Sequence, residues 1–212
     1  MDTPQLFGRR LLSAVDATAY GRADDLQQKL MQTALPAVLE EAAARAKLHR
    51  VEWQRQSTGD GELALLPVTE EEPRVVDDYV YHLHGSLRAY NRDLRPEARL
   101  RLRLALHHGV VVPASPGFAG QGVVVVSRLL DSRPVRAALE VSDADLAVIV
   151  SDEVFSATVA QRYTTVPEEA FRRVFVELKE YAGSAWLHVP GRDAHDMHLG
   201  QPDDPAPEPL PA

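Results

Sequence analysis

The chain has 212 residues, a hydrophobic fraction of 45%, and a formal net charge of −8 from 31 acidic and 23 basic residues. This size fits one domain, or at most two small ones, with a sizeable core, and the acidic balance argues against non-specific binding to nucleic acid or anionic membranes. Cysteine is absent, which excludes disulfides, thiolate metal sites and cysteine nucleophiles. Neither a signal peptide nor a membrane-spanning run is recognisable, so we expect a soluble cytoplasmic protein.

The first third of the chain predicts a strand, a long helix and a hairpin. A buried strand, Arg9 to Val15, runs into Asp16. Apolar residues at helical spacing predict a helix from Asp25 to Leu48, which we expect Pro36 to kink or divide. The segments "RVEWQRQ" and "ELALLPV" flank "STGDG", a pattern typical of a hairpin with a glycine-containing turn.

The remainder predicts a mixed α/β domain. An amphipathic helix over Glu71 to Leu94 precedes a central strand over Arg99 to Val112. The valine run at 123–126 is ambiguous between strand and helix, Asp145 to Ser151 is a buried strand, and two closing strands follow near 171–190. We expect one sheet with helices mainly on one side, forming a single domain over residues 1–192. Residues 193–212 are proline-rich, and we expect a disordered or extended tail that can contact a protein partner.

Two acidic residues at turns suggest a metal site. Asp16 ends the first strand, and Asp60 lies between Gly59 and Gly61 at the hairpin tip. Each has a structural alternative, because Asp60 suits a turn and Asp16 can cap the next helix. Asp24 and Asp25 are also available for that cap, which frees Asp16. If the first strand lies beside the hairpin, the two carboxylates converge and offer the oxygen ligands that Mg²⁺ prefers.

Five segments match one family in order along the chain. "AVDATAYG" carries Asp16, "STGDGELAL" carries Asp60, and "LALHHG" follows at residues 104–109. "GQGVVVVSRL" carries Arg128, and "VELKEYAG" comes last. From about residue 9 to 190 the chain resembles the catalytic domain of class III nucleotidyl cyclases, the adenylate and guanylate cyclases. The resemblance implies an α+β, ferredoxin-like or palm-type mixed sheet, and it favours a helix at the valine run.

The resemblance also implies a composite active site. It gives Asp16 and Asp60 the role of ligands to a two-ion site for Mg²⁺ or Mn²⁺, and it makes Arg128 the catalytic arginine. Arg128 is also spaced for an ordinary surface ion pair with Asp131. The family implies a homodimer in which one subunit supplies the acids and the other the arginine. Glycines beside Asp60 would let phosphates approach the backbone.

Several positions depart from the family pattern. Gln56 lies where the family has its purine-selecting lysine, and no acid lies near residues 116–118, where the lysine's partner is expected. Val124 replaces the ribose-orienting asparagine. Tyr181 lies near the position of the triphosphate-binding lysine, for which Lys179 is a displaced substitute. These departures affect base and ribose recognition more than the metal acids.

Three functions remain open from the sequence. The first is a divergent cyclase that converts a nucleoside triphosphate to a 3′,5′-cyclic nucleotide and diphosphate for signal transduction. The second is a module that binds metal and nucleotide but turns over little. The third is a regulatory pseudo-cyclase that acts by dimerising with a partner.

Overall fold

The protein is described by a computed structural model that covers residues 8–200 apart from positions 19, 23 and 116. The strands are β1 Gly8–Ala17, β2 Gln54–Ser57, β3 Gly61–Leu65, β4 Leu102–Pro113, β5 Phe118–Ala119, β6 Leu146–Ser151, β7 Arg172–Leu178 and β8 Tyr181–His188. The helices are α1 Asp25–Arg45, α2 Glu72–Arg74, α3 Val80–Asn91, α4 Gln121–Leu130, α5 Arg133–Glu140 and α6 Asp152–Ala157, with a π-helical turn, Val75–Tyr79, between α2 and α3.

The strands form one mixed sheet in the order β2-β3-β1-β4-β6-β8-β7, and β5 pairs with β4 at its side. β1 is antiparallel to both β3 and β4, whereas β4 and β6 are parallel. The register places Gly61 and Arg103 on either side of Asp16. This arrangement confirms the predicted mixed α+β fold, and the predicted hairpin, β2 and β3, forms one edge of the sheet.

Helices cover both faces of the sheet because the strands alternate between two cores. Leu11 and Val15 of β1 point into a core that includes α1 and α3, whereas Leu12 and Ala14 point into a second core. The second core is closed by α4 and α5. The two longer helices therefore lie on one face, and two shorter helices, of which α5 was not predicted, cover the other.

Three details differ from the sequence-based expectations or extend them. Pro36 does not divide its helix, because α1 runs through it from Asp25 to Arg45. Pro36 and Gln32 are both exposed, so water can satisfy the carbonyl that proline leaves without a donor. The valine run is helical, in α4, as the resemblance favoured. Residues beyond position 192 contribute to the second core through Ala194 and Leu199.

The rest of the predicted tail, 201–212, lies outside the described residues. In the described part of the chain, no helix combines the length and the apolar character that a membrane crossing requires.

Candidate active site

The two predicted metal acids lie side by side at one end of the sheet. Asp16 pairs with Gly61 across β1 and β3, and the backbone N–H of Ala17 donates to the carbonyl oxygen of Asp60 at 2.9 Å. These backbone bonds fix the hairpin tip against the end of β1. The fold thus brings together the two carboxyl groups that the sequence could connect only by hypothesis.

The Asp16 carboxyl lies in an unusual electrostatic environment. Its side chain is only 18% exposed, and burial raises its pKa to about 6, against the opposing charge of Arg103. The neighbouring carboxylates of Asp60 and Asp131 raise this pKa further by repulsion. A buried carboxyl with like charges beside it favours either a proton or a cation.

Arg103 is the residue of β4 directly opposite Asp16. Its Nη2 donates to Asp16 Oδ2, and its Nη1 donates to the carbonyl oxygen of Leu130 at 3.2 Å. The same Nη1 lies 3.9 Å from Asp131 Oδ1. Asp131 follows α4 directly, so Arg103 connects the end of β1 with the end of α4.

The oxygen donors at this site fit a divalent cation. Asp16 Oδ1 is buried and has no hydrogen-bond partner among the described residues, an arrangement that calls for a ligand. The pair supplies carboxylate oxygens, which suit Mg²⁺ and Mn²⁺. No cluster of three or more histidines or acids able to hold a metal ion occurs within residues 8–200 as described. Water and phosphate oxygens would therefore complete the coordination of an ion held by this pair.

The glycines beside Asp60 have different reasons to be glycine. A Cβ at Gly61 would collide with the carbonyl oxygen of Val15 and lie 2.9 Å from Thr58 Oγ1, so the approach of β3 to β1 requires glycine there. Gly59 has a φ of +90° and open space around it, so it shapes the turn and leaves its backbone accessible. Of the two, Gly59 is the one whose surroundings leave room for a phosphate.

Gln56 lies where a base-reading side chain is expected. A Cβ at Gly117 would collide with Gln56 Oε1, so the two residues are in close contact and the amide would have to move to make room. Gln56, the position predicted to replace a base-selecting lysine, therefore contacts Gly117, in the region predicted to lack that lysine's acidic partner. In this chain an uncharged amide faces backbone at that point.

Arg128 and Lys179 both lie beside Glu180. Arg128 is on the last turn of α4, and its Nη2 donates to Glu180 Oε1 at 2.8 Å. This bond corrects the alternative of an ion pair with Asp131. Lys179 is exposed at the turn between β7 and β8, with a φ of 56°. Tyr181 is half-buried beside it, and burial raises its pKa.

The cap of α1 decides between two roles that the sequence left open for Asp16. Asp24 Oδ1 accepts a hydrogen bond from the backbone N–H of Gln27 at 2.8 Å and so caps α1. Asp16 is consequently not needed as a cap. Val124 lies half-buried on α4, and its side chain offers no hydrogen bond for a ribose.

Sequence reasoning missed Arg103 and gave Asp131 a different partner. Arg103 lies in the alternating run "RLRLRL", which indicates a strand but not which neighbour each arginine faces. Had the register of β1 against β4 been known, the alternation would have placed Arg103 opposite Asp16.

Comparisons with solved structures agree with this fold. Over 87% of this chain and 99% of the other, it superimposes with a TM-score of 0.59 and 22% identity on an adenylate/guanylate cyclase/hydrolase from Silicibacter pomeroyi. The guanylyl cyclase Cya2 gives a TM-score of 0.61 at 12% identity over 93% of this chain and 100% of its own. The guanylate cyclase domain of RhGC from Catenaria anguillulae, solved with GTP, gives 0.52 at 15% identity over 88% of this chain and 99% of its own.

No protein-family model matches the chain, and no curated protein matches it in sequence. The similarity is structural: the chain has the fold of adenylate and guanylate cyclase domains, at 12–22% sequence identity to the three structures compared above.

Proposed function

We propose that this protein is a divergent nucleotidyl cyclase, which converts a nucleoside triphosphate to a 3′,5′-cyclic nucleotide and diphosphate. The observation that carries the proposal is the pair Asp16 and Asp60 at the end of β1, in the fold of cyclase domains. The buried Oδ1 of Asp16, which has no hydrogen-bond partner among the described residues, is an available ligand atom. The GTP bound to one structural neighbour supports a triphosphate as the ligand.

The proposed chemistry divides between a cation and the chain's own groups. Bound Mg²⁺ or Mn²⁺ would lower the pKa of the ribose 3′-hydroxyl and neutralise the triphosphate. Asp16 and Asp60 would orient the reacting groups by holding the divalent cation at one end of the sheet. Arg128 would place its guanidinium against the transferring phosphoryl group, where charge develops. Lys179 and Gly59 would contact the outer phosphates.

Gln56 replaces the charged lysine that selects the purine base in the family, so we propose that this chain recognises the base differently. The Gln56 amide can both donate and accept hydrogen bonds, and it faces the backbone of Gly117. An amide can turn to present either group, so it discriminates poorly between bases that differ in donor and acceptor order. We therefore propose relaxed or altered base choice.

A two-fold homodimer completes the proposed site. Within one chain Arg128 donates to Glu180, whereas Asp16 is held by Arg103, so the two halves of the site have different partners. A second copy that brings its Arg128 to the acid pair would exchange Glu180 for phosphate. We propose no nucleic-acid or membrane partner, and we propose the proline-rich segment 201–212 as a contact for another protein.

A second function is favoured by Val124, whose side chain cannot hold a ribose oxygen. Positioning supplies much of the rate in reactions of this kind. A site that keeps its acids but lacks this contact would bind metal and nucleotide with little turnover. The protein would then act as a nucleotide-responsive regulatory module.

The experiment incubates the protein with ATP, GTP, CTP and UTP in Mg²⁺ and in Mn²⁺, and identifies products by mass. Asp60→Asn and Asp16→Asn should each abolish a cyclic product. Asp93→Asn, which changes an exposed acid, is the matched control and should retain it. Calorimetric binding without product would select the regulatory module. Product that survives in both acid variants would place the chemistry elsewhere and refute the proposal.

A further inference from the structure

Arg103 is a buried cation in contact with a proposed metal ligand. Its side chain is 8% exposed and is bonded to the Oδ2 atom of Asp16. It therefore occupies one oxygen of the carboxylate and neutralises one of the two negative charges that Asp16 and Asp60 offer. A divalent ion at this pair would lie close to the guanidinium, and like charges at such distances repel.

We infer that Arg103 is an internal counterion of Asp16 that a divalent cation must displace, and that Asp131 receives the guanidinium when it moves. This inference rests on the proposed metal site, and it adds a residue that controls access to that site. In the metal-free protein, Arg103 keeps the buried carboxylate paired. Metal binding then becomes weak in the absence of a ligand, such as a triphosphate, that brings further negative charge.

The surroundings of Arg103 provide a second position for its charge. Nη1 already donates to the carbonyl oxygen of Leu130 at 3.2 Å and lies 3.9 Å from Asp131 Oδ1. Leu130 is the last residue of α4, where the helix dipole favours a cation. A rotation of the guanidinium toward Asp131 thus exchanges one carboxylate for another without leaving an unpaired buried charge.

The exchange would also involve a neighbouring helix. Asp131 Oδ1 at present accepts from Arg136 of α5 at 2.7 Å. If Arg103 moves to Asp131, the two arginines share that carboxylate. The state of the metal site is then communicated to the C-terminal end of α4 and to α5 by a defined set of ion pairs.

The first test measures Mn²⁺ affinity in the full chain at pH 8, without nucleotide, from the electron paramagnetic resonance signal of free Mn²⁺. Arg103→Met should bind Mn²⁺ at least about tenfold more tightly, because the competing charge is gone. Arg99→Met is the matched control, since it removes another arginine that pairs with an aspartate, Asp145, at 2.5 Å. Its affinity should equal that of the original chain.

Unchanged or weaker binding in Arg103→Met would overturn the inference, as would equal tightening in Arg99→Met. Arg103→Gln is a second neutral variant, which keeps polar contacts and is used if the methionine variant does not fold. Circular dichroism verifies folding before each titration. Binding must disappear in Asp16→Asn, because otherwise the Mn²⁺ occupies another site and the inference fails.

A double-mutant cycle tests the role of Asp131. Asp131→Asn should weaken Mn²⁺ binding in the original chain, because Arg103 then has a poorer second partner. The same substitution in the Arg103→Met background should change affinity much less. Equal weakening in both backgrounds would show that Asp131 acts on the ion only through its own charge, and it would refute the exchange.

These measurements separate the inference from the proposed function. A shift in Mn²⁺ affinity without any cyclic product supports the counterion and refutes the cyclase activity. A cyclic product without that shift supports the activity and refutes the counterion.

Discussion

The raised pKa of Asp16 predicts a specific pH dependence of stability. Its folded value of about 6, against an ordinary value of 3.8, means that the folded chain holds this proton more tightly than the unfolded chain. Its contribution to stability is complete below about pH 3.8 and is lost as the pH rises through 6. The difference corresponds to about 3 kcal/mol at about 1.4 kcal/mol per pKa unit.

The substitution Asp16→Asn removes this titration and keeps the shape of the side chain. Arg103 loses a partner in the variant, so the absolute stability also changes, but that change does not depend on pH in this range. We therefore expect the free energy of unfolding of the original chain to fall relative to the variant by about 2.5 kcal/mol between pH 4 and pH 7.5.

The assay is urea unfolding at several pH values, in chelator to remove divalent ions. Asp93→Asn provides the control and should run parallel to the original chain throughout. Excess Mn²⁺ at pH 7.5 should restore stability to the original chain but not to Asp16→Asn, because it binds the ionised carboxylate. Parallel pH profiles for the original chain and Asp16→Asn, or a difference of the opposite sign, would refute the reasoning about this site.

Further predictions concern residues around the site. Gly61→Ala should destabilise the protein by about 1–3 kcal/mol on thermal unfolding and abolish Mn²⁺ binding, because the new Cβ would push β3 away from β1. Gly85→Ala is the control: a Cβ there meets open space in α3, so this variant should be neutral or stabilising. Arg50→Met should lower the free energy of urea unfolding by about 3 kcal/mol, because the Arg50 side chain is 1% exposed and its loss leaves the Glu62 carboxylate without its buried partner. Arg45→Met removes an exposed ion pair with Glu41 and should lower it by less than about 1 kcal/mol. Arg128→Ala should change stability by less than about 1 kcal/mol yet lower any cyclase turnover at least about a hundredfold, and unchanged turnover would exclude its catalytic role.

Much of the fold could be predicted from local patterns. The alternation around the glycine-containing turn predicted the β2–β3 hairpin, and the apolar spacing after Asp25 predicted α1. These predictions succeeded because period and turn chemistry act over a few residues. The undivided passage of α1 through Pro36 could not be predicted, because it depends on which side of the helix faces water.

The helix at the valine run shows the limit of local propensity. Valine favours strands, but the residues of α4 pack Val126 and Leu129 into the core on the sheet. Burial of one helical face outweighs a propensity difference of a fraction of a kcal/mol per residue. Local propensity leaves the valine run ambiguous between strand and helix, and the resemblance to the cyclase family favours the helix that forms.

The sequence by itself determined the types of residue at the site and their order: two acids at turns, a glycine on each side of the second acid, and an arginine downstream. The tertiary structure alone decided that Asp16 and Asp60 meet and that Arg103 pairs with Asp16. It also decided that Arg128 donates to Glu180 instead of Asp131. The physical reason is that these contacts depend on strand register and helix docking, which join residues far apart in the chain, whereas sequence patterns record only the neighbours within a few residues.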